Sequence, residues 1–301
     1  MKIVILAGGV GGARMARGFT ALDALELTVV VNVSDDDTIY GVELSPDIDT
    51  VVYTLAGLEG QFGWGRRNDT WQVMSELERF DVDTSFRLGD QDLALNLFRT
   101  RLLRHGVPLS SVTRAQCSAF DVTARVLPAT DERVRTKIQV ADSGSWIDFQ
   151  TYFVTRGHQD RIAAVSYEGI EASSPAPGVL EAIDEADAVV IAPSNPHLSI
   201  LPILSIPGIR ARLAGKRVVA VSPFVGGSTI KGPAADIMRS LGHAPDPTGL
   251  SEVYGGILTH LVVDPADAVD LEGIDCLATD IMIGTWEEAG RLAKEMIEWM
   301  S

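Results

Sequence analysis

The feature that most constrains the fold is a strand, glycine turn, helix and strand pattern in the first 33 residues. A β-branched apolar run at residues 2–6 leads into a turn with four glycines at residues 8–12, a helical segment at residues 13–22 and a second apolar run at residues 27–33. Apolar runs without alternation are typical of strands buried on both faces of a parallel sheet. The pattern therefore predicts a right-handed βαβ unit of the Rossmann type.

The glycine turn is suited to holding a phosphate. Glycine permits a close approach of the backbone to a ligand, and the following helix directs free N–H groups and the positive end of its dipole towards an anion. The spacing matches neither of two familiar motifs, because Ala13 and Arg14 replace the Lys and Ser or Thr of a Walker loop, and Arg14 replaces the third glycine of G-x-G-x-x-G. A turn without a ligand stays open as an alternative. We expect Gly9, Gly11 and Gly12 to contact a nucleotide or another phosphorylated ligand.

Composition and charge narrow the range of partners. The chain has 301 residues, is 46% hydrophobic and carries a formal net charge of −16, which would repel nucleic acid and anionic membrane surfaces. We therefore expect no nucleic-acid or membrane partner, and we expect an anionic small ligand to need a helix N-terminus or a divalent cation. Cys117 and Cys276 lie far apart and predict neither a disulfide framework nor a zinc site. No apolar stretch reaches the length of a membrane span, so we expect a cytoplasmic protein.

The remaining apolar runs predict an α/β fold with a Rossmann-like, mostly parallel sheet. Core strands are predicted at residues 161–166, 188–192, 217–222, 261–263 and 276–278. From residue 60 the pattern changes to amphipathic helices, followed by strands of an antiparallel or mixed kind at residues 124–127, 134–140 and 149–154. We therefore expect a Rossmann-like nucleotide-binding core of residues 1–59 and 160–301, and an inserted smaller α+β lobe of residues 60–159.

An acidic cluster follows the second predicted strand. Asp35, Asp36 and Asp37 come directly after it, and Asp47 and Asp49 follow ten or so residues later. In an open α/β sheet the ligand crevice lies outside the carboxyl ends of the strands, so we expect this cluster and the glycine turn to face the same site. Carboxylates together with phosphate oxygens are suitable ligands for Mg²⁺. Three other interpretations stay open: a solvated acidic turn, a helix cap by one of the later carboxylates, and an Asp that binds a ribose diol.

Other turns supply candidate polar contacts. Ser194 and Asn195 follow one of the later apolar runs, and His197 comes shortly after them. Arg87 and Lys231 stand beside glycine in an acidic protein, so either could bind a phosphate, although an ordinary surface cation is the simpler interpretation of each.

Six motifs taken together resemble the 2-phospho-L-lactate transferase family of coenzyme F-420 biosynthesis. They are residues 8–13 (GGVGGA), 32–37 (NVSDDD), 45–50 (SPDIDT), 87–90 (RLGD), 193–196 (PSNP) and 231–233 (KGP). The likeness covers nearly the whole chain, and the combination is far more specific than any single motif. It implies a magnesium-assisted transfer, in which the phospho-acyl part of a guanosine diphosphate derivative is attached to the ribityl hydroxyl of 7,8-didemethyl-8-hydroxy-5-deazariboflavin and GMP is released.

The resemblance also implies roles for individual residues. The expected substrate contacts are Gly9, Gly11, Gly12, Asn32, Asp49, Arg87, Ser194, Asn195 and Lys231. Among these, the glycine turn and the turn at Ser194 and Asn195 would hold the guanosine nucleotide, while Asp49 and Arg87 would contact the deazaflavin. Magnesium would be bound by Asp36, Asp47 and Asp49. Either Asp49 or Asp36 would orient or deprotonate the hydroxyl, and the inserted lobe would lie over the acceptor site.

Three other functions stay open. A related nucleotide-sugar-binding regulator without catalysis shares the glycine turn and the acidic loop. The opening at residues 6–14 faintly resembles a nucleotidyltransferase, and an NAD-dependent oxidoreductase is weakened by the missing third glycine. The sequence does not distinguish a lactyl, enolpyruvyl or glyceryl donor, because these groups differ by very few atoms. A homodimer is compatible with the sequence.

Overall fold

The computed structural model describes residues 1–230 and 232–300. The strands in these ranges are β1 (Lys2–Ala7), β2 (Glu26–Val31), β3 (Asp37–Ile39), β4 (Val42–Leu44), β5 (Arg125–Pro128), β6 (Arg135–Val140), β7 (Trp146–Asp148), β8 (Ile162–Glu168), β9 (Ala188–Ile191), β10 (Val218–Val221), β11 (Phe224–Val225), β12 (Ser228–Thr229), β13 (His260–Val263) and β14 (Asp275–Ala278).

The α-helices in the same ranges are α1 (Gly9–Thr20), α2 (Pro46–Leu55), α3 (Gln72–Glu78), α4 (Asp90–Arg104), α5 (Leu109–Ala119), α6 (Val179–Glu185), α7 (Leu201–Ser205), α8 (Ile209–Arg212), α9 (Ala234–Ser240), α10 (Pro247–Tyr254) and α11 (Trp286–Met300). Two π-helical turns lie at Thr151–Thr155 and Pro196–Ile200, and two 3₁₀ turns lie at Ile170–Ala172 and Pro265–Asp267. None of the helices described here combines the length and the apolar character needed to cross a membrane.

A seven-stranded parallel sheet forms the centre of the protein. Its order is β14-β13-β10-β9-β1-β2-β5, and neighbouring strands run parallel throughout. The chain builds from β1 through β2 to β5 and then returns to β9 on the other side of β1. The strand order therefore reverses between β1 and β9, which is where open α/β sheets bind their ligands. This architecture confirms the predicted α/β fold with a Rossmann-like, mostly parallel sheet.

Helices cover both faces of the central sheet, which explains the unbroken apolar runs in its strands. Ile3 and Ile5 of β1 belong to a core cluster with α1, α2 and α11 on one face. Val4 and Leu6 belong to a second cluster with α6, α8 and α10 on the other. Because side chains alternate along a strand, a strand buried on both faces must be apolar at every position.

Three strand predictions were wrong in pairing or conformation. The strand predicted at residues 124–127 for an antiparallel or mixed sheet is β5, which pairs in parallel with β2 in the central sheet. The strand predicted at residues 161–166 for the parallel core is β8, which pairs antiparallel with β6 in a separate three-stranded sheet. Much of the strand predicted at residues 149–154 is the π-helical turn Thr151–Thr155. The sequence of a short apolar run does not show which strand it pairs with or in which direction, because pairing depends on tertiary contacts.

The division at residues 59 and 160 into a core and an inserted lobe stays a prediction. Within residues 60–159, α3 and the loop before α4 contribute Met74 and Leu88 to a small core with Val42 and Leu44 of the β3–β4 hairpin. The same stretch supplies β5 to the central sheet and α5 beside it. It therefore contributes both to a small core of its own and to the main one.

Candidate active site

The loops after β1 and β9 meet at the point where the strand order reverses. Ser194 Oγ accepts a hydrogen bond from Gly8 N at 3.2 Å and donates one to Gly8 O at 2.7 Å. A β-carbon at Gly11 would lie 2.3 Å from the carbonyl oxygen of Pro193, and one at Gly12 would lie 2.9 Å from Ser194 Oγ. The glycines thus let the start of α1 pack directly against the loop after β9.

Asp47, near the start of α2, binds the same turn from the other side. Its Oδ1 accepts a hydrogen bond from Gly9 N at 2.7 Å, and its Oδ2 accepts one from Asn32 Nδ2 at 3.0 Å. Burial raises the pKa of Asp47 to about 6, while the bonds from Asn32 and Gly9 oppose that rise. The carboxylate therefore joins three elements of the predicted site: the glycine turn, the end of β2 and α2.

Asn32 is buried and held by its own contacts. Its Nδ2 also donates to Leu198 O at 3.3 Å, and its Oδ1 accepts from Ser34 N and Ser34 Oγ at 3.0 and 2.8 Å. In this arrangement Asn32 orients Asp47 and the acidic loop. A direct contact between Asn32 and a substrate stays a prediction.

Asp35 and Asp36 make this end of the sheet strongly acidic. Asp36 Oδ2 accepts a hydrogen bond from Ser45 Oγ at 2.8 Å, but Asp36 Oδ1 is buried and has no hydrogen-bond partner among the residues that the structure describes. Burial raises the pKa of Asp36 to about 8. The pKa of Asp35 is raised well above its usual value by burial and then by the nearby charges of Asp47 and Asp36. A cation or a proton is needed to stabilise these carboxylates together.

Asp49 has a cationic partner that the sequence did not reveal. The completely buried Arg99 on α4 donates from Nη2 to Asp49 Oδ1, and Gln116 Nε2 on α5 donates to the same oxygen at 2.8 Å. Arg99 Nη1 also donates to Asn96 Oδ1 at 2.5 Å. Asn96, Arg99 and Thr100 share the buried face of α4 at helical spacing, but polar residues at this spacing usually mark a solvated face, so the contact had no signal in the sequence.

The three predicted magnesium ligands do not form a ready-made cluster. Among the described residues, no group of three His, Cys, Asp or Glu side chains is arranged to hold a metal ion. Asp49 Oδ1 accepts a hydrogen bond from Arg99, whereas Asp36 Oδ1 has no partner within residues 1–230 and 232–300. Magnesium often binds through one or two carboxylates together with substrate phosphates and water. The assignment of magnesium to Asp36, Asp47 and Asp49 therefore stays a prediction.

The other predicted contacts differ in their surroundings. Asn195 Oδ1 accepts from His197 N and Leu198 N at 3.0 and 3.1 Å, so it caps the π-helical turn that follows. Arg87 lies on the surface between α3 and α4, with its guanidinium 5.9 Å from the centre of the Trp71 ring. Lys231 lies outside the described residues.

His197 is a buried histidine beside these loops. Its ring stacks on His243 at a centroid distance of 5.6 Å, and its buried Nε2 finds no hydrogen-bond partner in the described part of the chain. Burial and then the neighbouring His243 lower the pKa of His197 to about 4, so the ring is neutral at physiological pH. A neutral ring packed in this way supports the fold of the loop and adds no positive charge to the site.

Comparisons with known proteins identify the family of the chain. Residues 3–275 match the family model described as 2-phospho-L-lactate transferase CofD. The chain is 40% identical over 312 residues to the phosphoenolpyruvate transferase of Streptomyces griseus, covering 99% of this chain and 98% of that protein. It is 39% identical over 303 residues to the 2-phospho-L-lactate transferase of Methanopyrus kandleri, covering 99% and 97%.

The fold is shared more widely. The crystal structure of a UPF0052 family protein from Bacillus halodurans superposes with a TM-score of 0.66 at 17% identity and covers 98% of each chain. At that identity the likeness shows the fold alone, whereas the family model and the relatives near 40% identity show the family. The resemblance inferred from the motifs is therefore confirmed, and the chain is a transferase that belongs to the 2-phospho-L-lactate transferase CofD family.

Proposed function

We propose that the protein transfers a phospho-acyl group of the 2-phospholactyl or phosphoenolpyruvyl type from a guanosine diphosphate donor to the ribityl hydroxyl of 7,8-didemethyl-8-hydroxy-5-deazariboflavin, in coenzyme F-420 biosynthesis. The observation that carries the proposal is the contact of Asp47 with Gly9 N, which sets the acidic cluster directly against the glycine turn. Transfer from a diphosphate needs both features, because the phosphates must be bound and their charge neutralised. The family membership supports the same reaction.

The glycine turn and the acidic cluster would have different roles in binding the donor. The N–H groups of Gly8 and Gly9 are bound by Ser194 and Asp47, so the N–H groups that follow them at the start of α1 would bind the diphosphate. Asp36 and Asp47 would hold magnesium, which when bound supplies positive charge to the diphosphate. Asp36 Oδ1 has no hydrogen-bond partner among the described residues, which supports this assignment. We therefore assign Asp36 to the cation, although the resemblance also implies a catalytic role for it.

Asp49 would act on the acceptor. Its Oδ1 is fixed by Arg99 and Gln116, which sets the orientation of the whole carboxylate. Its Oδ2 would accept a hydrogen bond from the ribityl hydroxyl and take up the proton as the hydroxyl oxygen bonds to the distal phosphorus. The bond from that phosphorus to the bridging oxygen breaks, and GMP leaves with the electron pair. Positioning and charge stabilisation suffice for this transfer, so no covalent enzyme intermediate is required.

Product analysis tests the reaction. The protein is incubated with the deazaflavin, magnesium and, separately, the lactyl, enolpyruvyl and glyceryl guanosine donors, and the products are identified by mass. We expect a phospho-acylated deazaflavin and GMP with at least one donor. Binding of the nucleotide without any product would favour a non-catalytic regulator and refute the transferase proposal.

Two measurements test the assigned roles. Removal of divalent metal with EDTA should abolish turnover, and added Mg²⁺ should restore it; full activity in EDTA would refute the magnesium assignment. Asp49→Asn should lower kcat by roughly 100-fold or more, as expected for loss of a general base. The matched control is Asp37→Asn, since Asp37 Oδ1 accepts its hydrogen bond from the neighbouring Thr38 N. If Asp49→Asn turns over as fast as the control, Asp49 does not have this role.

A further inference from the structure

Residues 59–66 form a short hairpin, here called the aromatic hairpin, that carries two exposed aromatic rings. Glu59 and Arg66 close it through a β-bridge, and Gly60 N donates to the carbonyl oxygen of Gly65 at 3.0 Å. The rings of Phe62 and Trp64 at its tip stack at a centroid distance of 6.1 Å and an interplanar angle of 29°. Phe62 is 60% exposed and Trp64 is 53% exposed.

The aromatic hairpin packs directly on the glycine turn. Gly63, which separates Phe62 from Trp64 in the sequence, has a φ of +86°, and a β-carbon there would stand 2.5 Å from Val10 Cγ1. Val10 is the second residue of α1, next to the N–H groups assigned to the donor phosphates. Only glycine combines this backbone angle with so close a contact. The position of the two rings beside the site is therefore built into the hairpin.

The base of the aromatic hairpin is anchored on the helix that carries Asp49. The Arg66 guanidinium stands 5.6 Å from the ring centre of Tyr53 and 5.1 Å from that of Phe120. Tyr53 follows Asp49 by one turn of α2, so the base lies over the same helix that presents the proposed acceptor contact. On the other side, Trp286 Nε1 donates to Glu59 Oε1 at 3.3 Å.

We propose that Phe62 and Trp64 form a stacking platform for the planar ring system of the acceptor substrate. Large aromatic rings exposed on a preformed loop beside a binding site are the features by which proteins stack flat ligands. The anchor on α2 favours the acceptor over the guanine base as the occupant, because α2 carries Asp49. The inference rests on the proposed function, since the tricyclic deazaflavin is the planar acceptor named there.

Binding measurements on each substrate alone test the platform. The deazaflavin is titrated by its own fluorescence and GDP by calorimetry, against the wild-type protein, Phe62→Ala and Trp64→Ala. We expect each Ala variant to bind the deazaflavin roughly 10-fold to 100-fold more weakly, the range for loss of one stacking partner, and to bind GDP within about 2-fold of wild type. Trp64→Phe should restore most of the lost affinity, because a flat ring is restored.

The controls separate this inference from the proposed function and from misfolding. Trp146→Ala removes a tryptophan of similar exposure, 49%, from β7, and it should leave both affinities unchanged. If wild type binds no deazaflavin, the proposed function fails. If wild type binds it and both Ala variants bind it equally well, the platform alone is refuted. Weaker GDP binding with unchanged deazaflavin binding would assign the rings to the guanine base and overturn the proposal for the acceptor.

Discussion

Arg99 is the residue on which the environment of Asp49 depends. Its guanidinium is completely buried and contacts groups from three parts of the chain: Asp49 on α2, Asn96 on its own helix, and the carbonyl oxygen of Glu43 in β4. Removal of one partner from a buried ion pair leaves the other charge without compensation. Arg99 therefore matters both for stability and for the orientation of the carboxylate that we assign to the acceptor.

Arg99→Met should destabilise the fold by about 3–5 kcal/mol, because Asp49 would remain buried without its cationic partner. Urea unfolding followed by circular dichroism measures this free energy. Arg101→Met on the exposed side of the same helix is the matched control, and it should change stability by less than about 0.5 kcal/mol. Equal unfolding midpoints for the two variants would show that the buried pair contributes nothing.

Asp36→Asn should make the metal-free protein more stable at alkaline pH while removing its activity. The pKa of Asp36 is raised from 3.8 to about 8, so between these values the unfolded chain releases the proton that the folded chain keeps. The contribution of Asp36 to the free energy of unfolding therefore falls as pH rises from about 4 to about 8, and Asn removes this pH dependence. We expect the free energy of unfolding of the variant, relative to wild type, to be about 5 kcal/mol higher at pH 8 than at pH 4, since each pKa unit corresponds to about 1.4 kcal/mol.

Thermal unfolding in EDTA across this pH range measures the effect of Asp36→Asn. Ser45 Oγ can still donate to the side-chain amide oxygen of the substituted residue, so this hydrogen bond is preserved. A stability difference between variant and wild type that does not change with pH would contradict the raised pKa.

At the scale of secondary structure elements, α1 is fixed by a close contact with α11. A β-carbon at Gly18 of α1 would lie 2.3 Å from the carbonyl oxygen of Ala289, whereas one at Gly290 of α11 would meet only Ala21 Cβ at 3.7 Å. The first distance is a clash with backbone, and the second is an ordinary van der Waals contact. The same substitution should therefore have opposite effects at the two positions.

Gly18→Ala should destabilise the protein by about 1–3 kcal/mol, since α11 must move away from α1. Gly290→Ala should stabilise it by up to about 1 kcal/mol, because Ala has the higher helix propensity. Chemical denaturation of the two variants beside wild type gives both values. Stabilisation by Gly18→Ala would show that the two helices adjust without cost.

The secondary structure elements could be predicted from local sequence wherever burial imposes a characteristic pattern of apolar residues. The runs that became β1, β2, β9 and β10 are apolar at consecutive positions because both faces of the sheet are covered. The roles of β5 and β8 could not be predicted in this way, because each is a short run whose partner is chosen by the path of the chain. The pattern of apolar residues indicates which positions are buried, but it does not indicate which strand lies next to the run.

The site was predictable to the extent that strand ends converge on one edge. That rule brings Asp47 to Gly9 and Ser194 to Gly8, as observed. Arg99 and Gln116 escaped prediction because they follow Asp49 by 50 and 67 residues and reach it only through the packing of α4 and α5. Arginine and glutamine on a helix are usually exposed, so residue type did not predict that Arg99 and Gln116 are buried.

At the scale of the whole molecule, the acidic surface opposes the compact state. The chain has 25 Lys and Arg against 41 Asp and Glu, so its formal net charge is −16. Repulsion among like charges destabilises a folded protein and is screened by salt. Raising NaCl from about 10 mM to about 200 mM should therefore raise the melting temperature by about 2–4 °C, which corresponds to roughly 1 kcal/mol in a domain of this size.

Differential scanning fluorimetry across the salt series measures that shift. Choline chloride at the same ionic strength is the control, because screening does not depend on the identity of the cation. A melting temperature that rises only with sodium would indicate a specific ion site, and one that falls with both salts would contradict the role of charge repulsion.

The bond between Gly8 and Ser194 joins residues 186 positions apart, and this has a consequence for synthesis on the ribosome. At roughly 5–20 residues per second, about 10–40 seconds separate the appearance of the two residues. During that interval β1 can pair with β2, but its other edge stays unpaired until β9 has been synthesised. An exposed strand edge is open to pairing with other chains. Nascent chains of this protein should therefore benefit from chaperones that act before release.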